Sequence, residues 1–126
     1  MDFRFFDEAP GARRRFKVLR TDPEVFLLTQ IIAQERGVAM SKMLRRSRGS
    51  GRAASARQLA IYLSHILLER PQDVVGYLFS RDRSTVVHSV NAVEDRRDNP
   101  KLEAELVRIE ARLRECQQAP EMKHAA

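Results

Sequence analysis

Between its prolines and glycines this chain repeats apolar residues at the spacing of an α-helix, and that spacing limits it to an all-α fold. The deciding stretch is "RSTVVHSVNAVEDRR", where Val86, Val87, Val90 and Val93 recur at i, i+1, i+4 and i+7. Valine favours a strand by propensity, but a strand alternates every two residues and this stretch does not, so the spacing predicts a helix over about 82–97. "TDPEVFLLTQIIAQERG" carries the same period with both ends marked. Asp22 can cap, Pro23 suits the first helical position, Glu24 suits the positive end of the helix dipole, and Gly37 can terminate. This predicts a helix over about 23–36 with Val25, Leu28, Ile31 and Ile32, joined by Glu35, on one side.

"AASARQLAIYLSHILLE" predicts a helix over about 53–69, with Leu59, Tyr62, Leu63, Ile66 and Leu67 at core spacing. "PQDVVGYLF" predicts a short one over about 71–78 that buries Val74, Val75, Leu78 and Phe79 on one side. After Asn99-Pro100, "KLEAELVRIEARLREC" sets Leu102, Leu106, Ile109 and Leu113 on one stripe. Ser41 starts a small helical piece anchored by Met43 and Leu44, and "SRGSGR" reads as a flexible basic loop. Residues 1–20 hold Phe3, Phe5, Phe6 and Phe16 around Pro10-Gly11 without a sustained period, and read as an arm with room for one short helical turn.

A chain of 126 residues has room for one core. The expected division is an arm at 1–20, a helical domain at 21–117 and a tail at 118–126. With 43% hydrophobic and 32% charged residues the composition is that of a small folded helical protein, not a disordered one. No apolar run approaches the ~20 residues that span a bilayer, and "MDFRFFDEAP" lacks the plan of a signal peptide, so the expected place is the cytoplasm, on the nucleoid. Cys116 is the one cysteine, which excludes an internal disulfide and a multi-cysteine metal site.

The net charge of +6 is unevenly placed. Residues 1–35 hold six basic and six acidic side chains, and residues 58–126 hold ten basic and eleven acidic. Between them Arg36, Lys42, Arg45, Arg46, Arg48, Arg52 and Arg57 stand without a carboxylate. A concentrated basic segment in a folded domain points to a polyanion, the alternative being a loop solvated for solubility.

The helices over about 71–78 and 82–97, joined by a turn at Ser80 to Asp82, form a helix-turn-helix candidate whose second helix would enter the major groove by its N-terminal end. Arg81, Asp82, Arg83, Ser84 and Thr85 would occupy that leading end, with Val86, Val87 and Val90 packing the helix to the domain. Arginine can bond guanine O6 and N7 together, serine and threonine can bond base edges or phosphates, and Asp82 can cap the helix or accept from a cytosine amino group. Arg57 and Gln58 sit near the start of the long helix, where backbone N–H groups already favour a phosphate.

Catalytic constellations are missing from the pattern. His88 has neither a histidine nor a carboxylate at helical spacing on its face, which leaves it as a phosphate contact or a structural polar residue. His65 falls inside an apolar helix, and "RGSGRAAS" lacks the spacing and lysine of a nucleotide-binding loop. No catalytic residue, metal or cofactor is expected.

The span from about Val25 to Leu113 resembles the C-terminal DNA-binding domain of the bacterial chromosomal replication initiator DnaA, a relative in fold of the Trp repressor. "GVAMSKMLRRSR", "ARQLAIYLSHILL" and "SRDRSTVVHSVNAVE" carry the resemblance in the family's order and spacing. It implies a helix-turn-helix that binds a nine-base-pair AT-rich box, with a recognition helix in the major groove and an arginine from the basic loop in the adjacent minor groove. Carried over, Arg57 and Gln58 would hold phosphate or base edge, Arg81 and Asp82 would begin the recognition helix, and Ser84 and Thr85 would contact bases. Arg48 would be the minor-groove arginine, with Arg45, Arg46 and Arg52 as alternatives. Arg83 stands where the family usually has a base-reading histidine, Ser84 replaces a threonine, Ser80 replaces a turn glycine, and Gly49 and Gly51 replace loop arginines.

The initiator carries this domain behind an ATPase module, which the sequence does not hold. The resemblance therefore implies a stand-alone regulator of transcription or replication initiation that binds double-stranded DNA at DnaA-box-like sites. The other reading is an interaction module with weak or non-specific DNA binding, meeting a second copy or a protein partner through the phenylalanine arm or the 102–113 stripe. Packing onto its own domain is the alternative use of that stripe.

Overall fold

The computed structural model describes residues 11–45 and 51–125, and every regular element among them is a helix, as expected. In chain order they are α1 (Ala12–Leu19), α2 (Pro23–Arg36), α3 (Met40–Met43), α4 (Gly51–Ile66), α5 (Gln72–Phe79), α6 (Arg83–Glu94) and α7 (Pro100–Ala125).

The ends of α2 obey their sequence signals. Asp22 Oδ1 accepts from the Val25 N–H at 3.2 Å, Pro23 opens the helix, and Gly37 takes a left-handed φ of 63° that sends the Val38 N–H back to the Ala33 carbonyl. α4 is the central helix, packed against α2, α3, α5 and α6, and its small Ala53, Ala56 and Ala60 let those neighbours approach. Leu59, Tyr62, Leu28, Ile32, Val75, Phe79, Val86 and Ile109 meet around it, each large apolar side chain contributing roughly 1.5–3 kcal/mol by leaving water. Met43 and Leu44 are buried, so the short α3 is anchored as its sequence suggests.

Three expectations need correction. α4 starts at Gly51, inside the segment read as loop, and stops at Ile66 rather than 69. There the Leu67 and Leu68 N–H groups both return to the Leu63 carbonyl, and Glu69 turns the chain with a φ of 58°. Ile66, at this end, is 46% exposed rather than core, and Val74 on α5 is likewise exposed rather than buried beside Val75. The N-terminal stretch forms two full turns of α1, which bury Phe16 and Leu19 and set Phe16 edge-on to Phe26 with centroids 6.4 Å apart. Two anchors three residues apart are too few to show as a period in the sequence.

On α7, Leu106, Ile109 and Leu113 are buried, and the helix packs along α2. Of the two uses open to that stripe, the structure takes packing on its own domain. Charges close the seam: Glu35 meets Arg108 and Arg112, and Arg36 grips Glu105 through two bonds of 2.7 and 2.8 Å. The α7 backbone continues as helix through the expected tail to Ala125. No helix among the described residues is long and apolar enough to cross a membrane.

Candidate nucleic-acid interface

α5 and α6 pack against each other across a turn set by a close backbone approach. The Arg81 N–H reaches the Gly76 carbonyl at 2.8 Å and the Ser80 N–H reaches that of Tyr77 at 3.2 Å, with Ser80 left-handed at φ 56°. This is the double closure that ends a helix sharply. Gly76 is what permits it, because a Cβ there would lie 2.7 Å from the Arg81 carbonyl oxygen. Asp82 sits at the N-cap of α6 and its carbonyl accepts from the Val86 N–H at 3.1 Å. Its side chain makes no cap bond, so capping is not what the carboxylate does here.

α6 buries Val86, Ser89 and Val93 and turns Arg83, Ser84, Val87, His88 and Asn91 outward, with Thr85 half-buried. The spacing of the outward set is that of one helical face beginning at the N-terminus. Val87, expected to pack the helix to its domain, is instead 36% exposed on this face. Of the two adjacent valines Val86 takes the inner place and Val87 the outer edge of the buried stripe. Val87 and Asn91 are thus the residues that the sequence reading left out of the open face. Their signal was the same 3.6-residue period, counted from Arg83 and Ser84.

Arg83 Nε points back to Gln72 Oε1 at 3.4 Å, across the open end of the helix pair. Arg81 is different. It is half-buried and its Nη2 donates to the Arg45 carbonyl, so it faces the start of the basic segment and not the open end beside Arg83.

The basic segment is held unevenly. Arg36, bonded to Glu105 and to Ser55 Oγ at 2.9 Å, is neutralised by a carboxylate 69 positions away, so the segment is less free of acid than its sequence suggests. Lys42 and Arg52 line one small cleft with Gly37, Val38 and Ala39, and Arg52 Nη2 donates to the Arg36 carbonyl at 3.1 Å. Arg57 is half-buried, bonded to the Met43 carbonyl at 3.2 Å, and burial pushes its guanidinium below the ordinary arginine range. Gln58 accepts from Arg96 at 3.3 Å. Arg46 and Arg48 lie outside the described residues.

The far end of α6 is fixed by a polar relay. Tyr62, on α4, donates its hydroxyl to Glu94 at 2.7 Å and accepts from Arg97 at 2.8 Å, while Arg97 also grips Glu103 of α7. Burial, with Glu94 beside it, raises the Tyr62 hydroxyl above its ordinary range, so it stays a donor. Helix α6 ends at Glu94 rather than 97, where the Arg96 and Arg97 N–H groups turn to the carbonyls three residues back, Val93 and Glu94.

Compared with known families, residues 27–93 match the bacterial dnaA protein helix-turn-helix, just over half of the chain. The chain belongs to this family. The matched span runs from within α2 through α6, so it includes the Gly76 turn and the outward face of α6 in a DnaA-type DNA-binding domain. Neither curated proteins nor solved structures yield a match. Among the described residues no three His, Cys, Asp or Glu side chains gather as a metal site would need.

Proposed function

We propose that this DnaA-type domain reads specific double-stranded DNA sequences, and that the chain acts as a regulator of transcription or replication initiation. The observation that carries this reading is the leading end of α6, which exposes Arg83 and Ser84 while Val86, Ser89 and Val93 lock the other face to the domain. A rigid helix with donors at its N-terminus suits the major groove. Arg83 would bond a guanine, Ser84 and Thr85 a base edge or phosphate, Asp82 a cytosine amino group, and Val87 a thymine methyl.

Arg45, Arg52, Arg57, Gln58 and His88 would hold phosphates, and Arg46 or Arg48 would enter the adjacent minor groove as the family resemblance implies. Arg81, bonded to the Arg45 carbonyl, would serve by holding that segment beside the groove. Binding in the range of about 10⁻⁸ to 10⁻¹¹ M at physiological salt is expected. Occupying its site, such a protein regulates by excluding or recruiting others.

Selection of bound duplexes from a random pool tests this. Enrichment of one motif supports the proposal, and a pool that stays random after several rounds rejects it.

A further inference from the structure

We infer that α1 is a second phosphate-contacting element, which binds the DNA backbone through Arg14 and Lys17 beside the leading end of the recognition helix. The inference rests on the DNA-reading function proposed above.

From Arg13 to Arg20 the chain carries five cations, at 13, 14, 15, 17 and 20, and no carboxylate. Counted over residues 1–35 this cluster, with Arg4, is hidden by an equal number of acids. The structure engages three of those acids elsewhere. Asp22 and Glu24 are engaged by Arg70, and Glu35 is engaged by Arg108 and Arg112. Asp2, Asp7 and Glu8 lie outside the described residues. Within the cluster Arg15 is half-buried and the Arg20 guanidinium, just past the end of α1, lies over the Phe26 ring, 5.3 Å from its centroid. Arg14 and Lys17 are exposed.

Position makes these two more than a solvated face. α1 packs on α5, the first helix of the pair, and Val18 lines one cleft with Gly76, Tyr77, Ser80, Arg81 and Asp82. Arg14 stands four residues before Val18, on the same side of α1, and Lys17 is its neighbour at i+3. The leading end of α6 is therefore bordered by two basic elements. The basic segment reaches it through the Arg81 guanidinium on Arg45, and α1 reaches it through the cleft at Val18. A major groove is about 12 Å wide and bounded by a phosphate backbone on each side. A helix lying in it gains from cations beside its leading end, and exposed Tyr77, whose hydroxyl can also bond a phosphate, lines the same cleft as Val18. Asp82 in the same cleft disfavours a phosphate on its floor, so the strand is drawn to the outer face of α1.

The test is a salt titration of DNA binding by the full chain, for wild type, Arg14→Ala/Lys17→Ala and Arg114→Ala, on the selected duplex and a base-shuffled one. Each lost contact lowers the slope of log K against log salt by about 0.9, so the double variant is expected to lose about two from the slope. It should bind both duplexes more weakly, by about tenfold or more at physiological salt, with their ratio unchanged. Arg114→Ala, on the exposed side of α7, should match wild type. Both substitutions place a strong helix former on an exposed face, and circular dichroism checks that α1 persists. A double variant with wild-type slope and affinity, while wild type binds DNA, overturns the inference alone. So does intact DNA binding with loss of binding to vesicles of anionic lipid, which would assign α1 to a membrane surface. Wild type that binds neither duplex overturns the underlying reading as well.

Discussion

Arg81 donates its guanidinium to the main-chain carbonyl of Arg45, 36 positions earlier, so the turn that leads into α6 also holds the start of the basic segment. The two parts of the interface are thereby one mechanical unit. Replacing Arg81 by alanine leaves a carbonyl without its charged donor and is expected to lower stability by about 1–2 kcal/mol in urea unfolding. DNA binding should weaken on matched and shuffled duplexes alike. A change in base preference would show instead that Arg81 itself reads a base.

Gly76 tolerates no side chain, because a Cβ would lie 2.7 Å from the Arg81 carbonyl oxygen, which belongs to the backbone and cannot swing away. Gly76→Ala should cost about 1–3 kcal/mol and reduce DNA binding sharply by opening the angle between α5 and α6. Retention of both properties would mean the turn is softer than its geometry indicates.

Ser80 holds a left-handed φ of 56°, at the position where the family resemblance expects glycine. Ser80→Gly removes the Cβ clash of that conformation and is expected to stabilise the protein by about 0.5–1 kcal/mol, the greater backbone freedom of unfolded glycine offsetting part of the gain. Ser80→Val should do the opposite. Urea midpoints ordered Val above Ser would refute the strain.

Asp22 both caps α2 and pairs with Arg70, whose hydrogen bond, against the opposing effect of burial, holds the carboxyl below its ordinary range. A lowered native pKa gives stability that is present above the unfolded value, near pH 4, and lost as pH falls through the native one. Asn keeps a capping oxygen but no charge. Asp22→Asn should therefore be less stable than wild type at pH 7, with the gap closing as pH drops below about 4. A gap independent of pH would mean the ion pair contributes nothing.

What was legible follows from how local each signal was. Asp22, Pro23 and Gly37 mark α2 within its own sequence, and the turn after Phe79 with the valine spacing marks α5 and α6. The extent of α1 was hidden because Phe16 and Leu19 are anchors only against α2 and α5. The tie between Arg36 and Glu105 spans 69 positions, so no reading of the basic segment alone could remove Arg36 from it. The role of Val87 turned on which of two adjacent valines faces inward, a choice made by packing. Arg83 and Ser84 were legible as exposed because both are polar and open the helix ahead of its first inward residue, Val86.

The most direct test of the account is a titration at near-physiological salt of wild type and Arg83→Ala, each against the selected duplex and its base-shuffled counterpart. The account predicts that wild type prefers the matched duplex by about 10³-fold or more. It also predicts that Arg83→Ala loses about 1–3 kcal/mol on that duplex and much less on the shuffled one. Equal binding of wild type to both duplexes, or an equal loss on both in the variant, would contradict it.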